Sequence, residues 1–299
     1  MTSDEETLES GPLSLGLAPQ HGGAIAWLKW KGIDLLRPLS AMNNDSIPAV
    51  RLSSGYPLVP YSNRIADGKF TWDGQAFVLA KNFGDHPHSI HGFGWQRAWK
   101  LVEIEEDSAV MQLVHLADDD WPWDCKATQS IKITQKSVLL TLTLTNLATS
   151  AMPAGLGWHP YFLRSQHMQL QFSAQNLWSM NERSLPEQMI AVPDFADFNK
   201  LKAIGNPNLD HCYSGWNGKV MIEYPEHKLA VTLTTHDCNY IVFFTPTDKD
   251  FVAIEPVTHL NNAINFDNPE LMGIRQLNSN EQMTLSIKMV FRKLQEADV

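Results

Sequence analysis

Glu255 stands where a carboxylate is costly. It follows the apolar run Phe251-Val252-Ala253-Ile254 and precedes Pro256. A carboxylate at the mouth of a buried strand loses hydration unless it has partners or a chemical task, and burial raises its pKa towards that of a useful base near neutral pH. His159 lies between Trp158 and Pro160, at the end of an expected strand. An imidazole there can move protons, or it can be a hydrogen-bonded core residue. Glu255 can equally be half of a surface-loop ion pair. Arg64 and His91 are as two-sided, since Arg64 can pair with an acid and His91 can cap a turn.

These residues fall in five polar clusters. The first is Ser62-Asn63-Arg64-Ile65 with Gly68 beyond, and the second is His86-Pro87-His88-Ser89-Ile90-His91-Gly92. The third is Gly157-Trp158-His159-Pro160-Tyr161-Phe162, the fourth Leu209-Asp210-His211-Cys212 and the fifth Ile254-Glu255-Pro256. His86, His88 and His91 invite a metal reading, because imidazole ligates zinc. On a strand, however, His86 and His88 share a face and His91 points away unless the chain turns. Asp210 and His211, adjacent on a strand, face opposite ways. No metal is therefore expected. The sequence has no Gly-x-Gly-x-x-Gly, no phosphate-cradling loop with a Lys and no Gly-x-Ser-x-Gly elbow. Trp72, Trp95, Trp99, Trp121, Trp123, Trp158 and Trp216 lie in or beside the clusters. Tryptophan faces suit pyranose C–H groups, but the same rings also fill the core of a large sandwich.

Strands must position these groups. Leu140, Leu142 and Leu144 alternate with Thr141, Thr143 and Thr145, and Ile131 and Ile133 alternate with Lys132 and Thr134 as an expected partner strand. Residues 229–234 and 283–291 alternate as well, and 241–245 and 251–254 are short apolar runs that fit strands buried on both faces. Helical signals are confined to short pieces near 193–202 and 269–275. The expected fold is all-β, a large antiparallel sandwich, with residues 1–11 as a disordered acidic tail and 12–299 as one domain.

The net charge of −10 and the lack of a basic run argue against a nucleic-acid partner. No apolar run approaches membrane-spanning length, and the start of the chain, with Asp4, Glu5, Glu6 and Glu9, does not read as a signal peptide. Three widely spaced cysteines suit a reducing compartment, so a cytoplasmic protein is expected.

The five clusters, in this order from about Leu13 to Phe291, resemble the aldose 1-epimerase (galactose mutarotase) family. The resemblance implies two large curved antiparallel sheets with a site in a cleft on a concave face. It implies Glu255 as general base and His159 as general acid, with Arg64, His91 and Asp210 holding the oxygens of a monosaccharide. The implied reaction, cofactor-free, interconverts the α and β anomers of a free aldose. The third motif departs from galactose-acting members in carrying Trp158 before the histidine, which leaves the sugar open. A hexose 6-phosphate is one alternative substrate, for which Arg51, Arg97 and Arg164 are the available cations. A non-catalytic sugar-binding module is another reading, but such a module has no need for both Glu255 and His159.

Overall fold

The alternation around 130–145 becomes a long hairpin. Cys125–Thr134 pairs antiparallel with Ser137–Asn146, setting Ile131 opposite Leu140. Ser137–Asn146 then pairs with the last strand, Gln282–Lys293, placing Leu140 against Ile287 and Leu142 against Leu285. The inward-facing apolar residues of all three strands are buried, whereas Leu139 and Val290 face outwards and are exposed. The computed structural model describes residues 6–39, 50–52, 54–205 and 207–294.

These strands centre a nine-stranded sheet, continued on one side by Ser108–His115 and Lys100–Ile104 and on the other by Leu229–Thr234, Lys219–Tyr224, Gln169–Phe172 and Lys202–Ala203. Packed against it is an eleven-stranded sheet. Its central path runs Ala24–Trp30, Gly55–Leu58, Gly157–Leu163, Phe251–Val257, Tyr240–Thr245 and Leu209–Ser214. Strand pairs among the described residues are antiparallel, as two face-packed sheets of this kind require. There is no α-helix among the described residues, where five short 3-10 turns occur instead. One of them, Asp194–Ala196, replaces the helical piece expected near 193–202, and the chain at 269–273 is turn rather than helix.

The acidic start also departs from expectation. Glu6–Ser10 is a strand paired with Leu13–Ala18, not a disordered tail. Leu8 is fully buried while Glu6 and Thr7 stay exposed. One leucine on the inner face, with Leu13, Leu15 and Leu17 beside it, outweighs the acidic composition. Residues 1–5 of the expected tail lie outside the described residues.

The central strands of the larger sheet are buried on both faces. One face enters the core through Trp158, Phe162, Val252 and Ile254. The other carries His159, Tyr161 and Glu255 and is covered by the connection from Val59 to Trp95. Gly92 fixes that connection. Its φ is +65°, and a Cβ there would lie 2.0 Å from the Val59 carbonyl oxygen, which itself accepts hydrogen bonds from Phe93 and Gly94. Gly92→Ala is therefore expected to destabilise the protein by about 2 kcal/mol or more, read as a lower midpoint in urea unfolding.

Candidate active site

The register between two neighbouring strands creates the central contact. Gly157 pairs with Val257 and Tyr161 with Ala253, which sets His159 directly opposite Glu255. His159 Nε2 lies 3.2 Å from Glu255 Oε1, with the two side chains 6% and 3% exposed. On the other side of His159, Tyr56 is its register partner, and the rings of Tyr56 and Tyr161 stack on the imidazole at 4.9 and 4.5 Å. Residues i and i+2 of a strand share a face, so His159 and Tyr161 rise together into the cleft.

Burial governs the protonation of this pair. It pushes Glu255 well above the ordinary carboxylate range, with the Asp210 charge adding to the rise and Arg64 opposing it. It also pushes His159 down to about 3. Burial favours the uncharged form of both groups, so a proton shared by the pair rests on the carboxyl. Its transfer to Nε2 makes a carboxylate and an imidazolium with no change in net charge. Glu255 Oε2 is buried and has no hydrogen-bond partner among the described residues. A buried acceptor left open in this way is a ready place for a hydroxyl.

His91 faces the same cleft from the covering connection. Its φ is +64°, a left-handed conformation uncommon for a side-chain-bearing residue. Two contacts hold it there. The His91 N–H donates to the Asn63 carbonyl at 2.9 Å, and the Asn63 N–H donates to His91 Nδ1 at 3.0 Å. The second bond leaves the hydrogen of the neutral ring on Nε2. Burial, with His159 and Arg64 nearby, pushes the His91 pKa well below 6.5. His91 is thus a fixed, uncharged donor.

Arg64 is oriented by two oxygens, donating to Asn63 Oδ1 at 3.1 Å and Asp210 Oδ2 at 3.2 Å. The segment that follows Glu255 holds the Arg64 loop from behind. Ser62 N–H donates to His259 Nε2 at 2.9 Å, Asn262 N–H to the Arg64 carbonyl at 2.8 Å, and Ala66 N–H to Asn262 Oδ1 at 2.9 Å. Fully buried, His259 also donates from Nδ1 to the Leu260 carbonyl at 2.7 Å. One stretch of chain therefore carries Glu255 and fixes the loop that presents Arg64.

All five residues picked from the sequence, Arg64, His91, His159, Asp210 and Glu255, line one cleft of about 710 Å³, including the solvent at its mouth. Tyr56, Phe83 and Phe244 also line it and were not singled out, and so does His86, which the sequence offered only as a metal ligand. Tyr56 carries the one usable signal, a tyrosine in an extended segment ahead of the first cluster. The seven tryptophans are buried, and none lines the cleft. Its aromatic surface comes from Tyr56, Phe83, Tyr161 and Phe244, so the core-filling reading of the tryptophans holds.

The second histidine cluster also differs from the strand reading, because the chain turns before Ser89–Ile90. His86 and His91 face the cleft, whereas His88 is buried away from it, accepting from Asp67 N–H at 3.0 Å and bonded through Nε2 to the Arg183 carbonyl at 3.0 Å. Among the described residues, no group of three His, Cys, Asp or Glu side chains is placed to hold a metal ion. Of the three arginines available for a phosphate, Arg51 lines the cleft. Arg97 is bonded to Asp118 and Asp120, each at 2.6 Å, and Arg164 to the Gly205 carbonyl.

The family model described as aldose 1-epimerase matches residues 8–289. The chain belongs to the aldose 1-epimerase family. Its relatives include the uncharacterized Escherichia coli K12 protein YphB, 30% identical over 264 residues, a match that covers 85% of this chain and 87% of that protein. A galactose mutarotase-like protein from Clostridium acetobutylicum shares the fold, with a TM-score of 0.83 at 20% identity over 97% of this chain and 98% of the other. A solved Escherichia coli K12 protein provisionally named an aldose 1-epimerase superposes with a TM-score of 0.89 at 27% identity, covering 97% and 99% of the two chains. Membership of this family, with its mutarotase-like fold, places the chain among sugar epimerases. No helix among the described residues is long and apolar enough to cross a membrane.

Proposed function

We propose that the chain is an aldose 1-epimerase that interconverts the α and β anomers of a monosaccharide, with Glu255 as general base and His159 as general acid. The buried contact of 3.2 Å between Glu255 and His159 carries the reading. A cyclic aldose opens when the proton of its C1 hydroxyl leaves and the ring oxygen gains one. The C1–O bond to the ring oxygen then breaks, and C1 becomes the aldehyde carbon. The Glu255 carboxylate takes the first proton and the His159 imidazolium gives the second. Rotation about C1–C2 exposes the opposite aldehyde face, and the two residues reverse roles on closing. The reaction gains and loses no electrons.

The rest of the cleft supports this chemistry. His91 Nε2–H and the Arg64 guanidinium are donors suited to sugar oxygens, and Arg64 also suits charge developing on the ring oxygen. Asp210 accepts hydroxyl hydrogen bonds while keeping Arg64 in place. Each well-positioned proton transfer contributes roughly 10²–10⁴-fold.

The test is the optical rotation of freshly dissolved α-D-glucose and α-D-galactose, extended to pentoses and hexose 6-phosphates. Faster approach to equilibrium with catalytic amounts of protein is expected for at least one sugar. A spontaneous rate throughout the series would sink the proposal and favour a binding module on this scaffold.

A pH profile probes the pair separately. Activity requires one proton on the Glu255–His159 pair and is lost in acid when the pair gains a second. Because burial lowers His159 to about 3, the acid limb of kcat/KM is expected below 6.5, the ordinary imidazole value. An acid limb centred at or above 6.5 would contradict this account of the pair.

A further inference from the structure

Among the described residues, the cleft contains a cation with no paired acid. Arg64 is paired with Asp210, and burial holds Glu255 towards its uncharged form. Arg51 remains. Among the described residues its guanidinium has a single partner, the face of Phe83, with Cζ 3.9 Å from the ring centroid. Such stacking occupies the flat face of the guanidinium and leaves its in-plane N–H groups open to acceptors.

Phe83 links Arg51 to a second donor. The Phe83 ring meets His86 edge-on, at 6.1 Å and 89°. His86 Nδ1 accepts the His88 N–H at 3.3 Å, so the neutral ring carries its hydrogen on Nε2. Both Arg51 and His86 line the cleft that holds Glu255 and His159. The patch lies near the reacting end, since the Arg51 charge acts on Tyr56 and Tyr161, the two rings stacked on His159. A neutral hydroxyl offers a guanidinium fork one oxygen. A carboxylate or phosphate offers two, held in the fork by charge-assisted bonds.

We propose that Arg51, seated on Phe83 and flanked by His86, forms a subsite for an anionic substituent, a carboxylate or a phosphate, carried by the sugar away from C1. The proposal rests on the mutarotase reading for the identity of the ligand as a sugar. It narrows that reading from aldoses in general to uronates or sugar phosphates.

The experiment is calorimetric binding of D-glucose, D-glucuronate and D-glucose 6-phosphate, and of the corresponding galactose series, to the full chain. At least one anionic sugar is expected to bind about tenfold or more tightly than its neutral parent. The better of the two anions identifies the source of the charge. In Arg51→Met the preference is expected to fall to within about twofold, and Arg51→Lys is expected to restore part of it, since lysine keeps the charge without the fork. Because the preference is a ratio within one protein sample, a general loss of affinity leaves it readable. If neither anion binds more tightly than its neutral parent, the proposal is overturned without any variant. A preference that survives in folded Arg51→Met overturns it as well. Anomer exchange, followed by NMR in the same samples, separates the two readings. An anionic preference without exchange sinks the catalytic reading and leaves the subsite standing.

Discussion

Glu255→Gln is expected to lower kcat by roughly 10²–10⁴-fold, about 3–5 kcal/mol of barrier, while leaving the fold intact. The amide keeps the volume of the carboxyl and cannot take a proton from a C1 hydroxyl. Its cost in stability is small for a specific reason. Burial holds Glu255 towards its uncharged form, so replacing a neutral acid by a neutral amide removes no buried charge. The Gln side chain also keeps an oxygen and an N–H group facing His159. KM is expected to change much less than kcat, because the hydroxyl contacts proposed for Arg64, His91 and Asp210 do not involve Glu255. The measurement is the observed rate of anomer exchange at saturating sugar, with urea unfolding of both proteins as the control for folding. Exchange at the wild-type rate in a folded Glu255→Gln protein would remove Glu255 from the role of base, whatever the family.

Much of this arrangement is legible in the chain itself, and the illegible parts have physical causes. The Ile131 and Leu140 strands announce themselves by alternation because one face of their sheet is wet. Strands buried on both faces, such as Phe251–Val257, show continuous apolar runs, and there Glu255 stands out as the misfit. His159 and Glu255 can each be picked from the sequence, but their direct contact is set by cross-strand register, to which distant segments contribute without local signal. Tyr56 and Phe83 resemble ordinary core aromatics because their identities do not reveal which side of a covering connection they face. Arg51 has no motif around it, and the role proposed for it rests on its having no paired acid among the described residues. The N-terminal strand was hidden by composition, since Glu6, Thr7 and Glu9 describe its outer surface while one inward leucine fixes its pairing.

Acid is expected to destabilise the protein in a window to which His259 contributes together with His91. The Glu255–His159 pair offsets itself in part, because burial raises the carboxyl while it lowers the imidazole, so the proton that the folded imidazole gives up is held by the carboxyl instead. His259 has no such compensation. Burial pushes it down to about 4, with its bond to the Leu260 carbonyl opposing the fall. A histidine depressed on folding binds more protons unfolded, so stability is full above the unfolded value and is lost as pH falls towards the folded one. From the ordinary 6.5 down to about 4, at about 1.36 kcal/mol per pH unit, His259 accounts for about 3 kcal/mol. That is a substantial part of a typical domain stability of about 5–15 kcal/mol. His91, also pushed down by burial, acts in the same direction. The structural cause is specific. Protonation at Nε2 would replace the acceptor of the Ser62 N–H with a donor, and the loop carrying Arg64 would lose its anchor. His259→Gln keeps an oxygen that can accept from Ser62 but cannot titrate. Urea unfolding at pH 7 and pH 4.5 decides the matter. The variant is expected to be less stable than wild type at pH 7, because the ring packing is lost, and to show a pH dependence smaller by up to about 3 kcal/mol. An equal loss in both proteins would move the acid sensitivity away from His259 and onto other buried groups, with His91 the first to test.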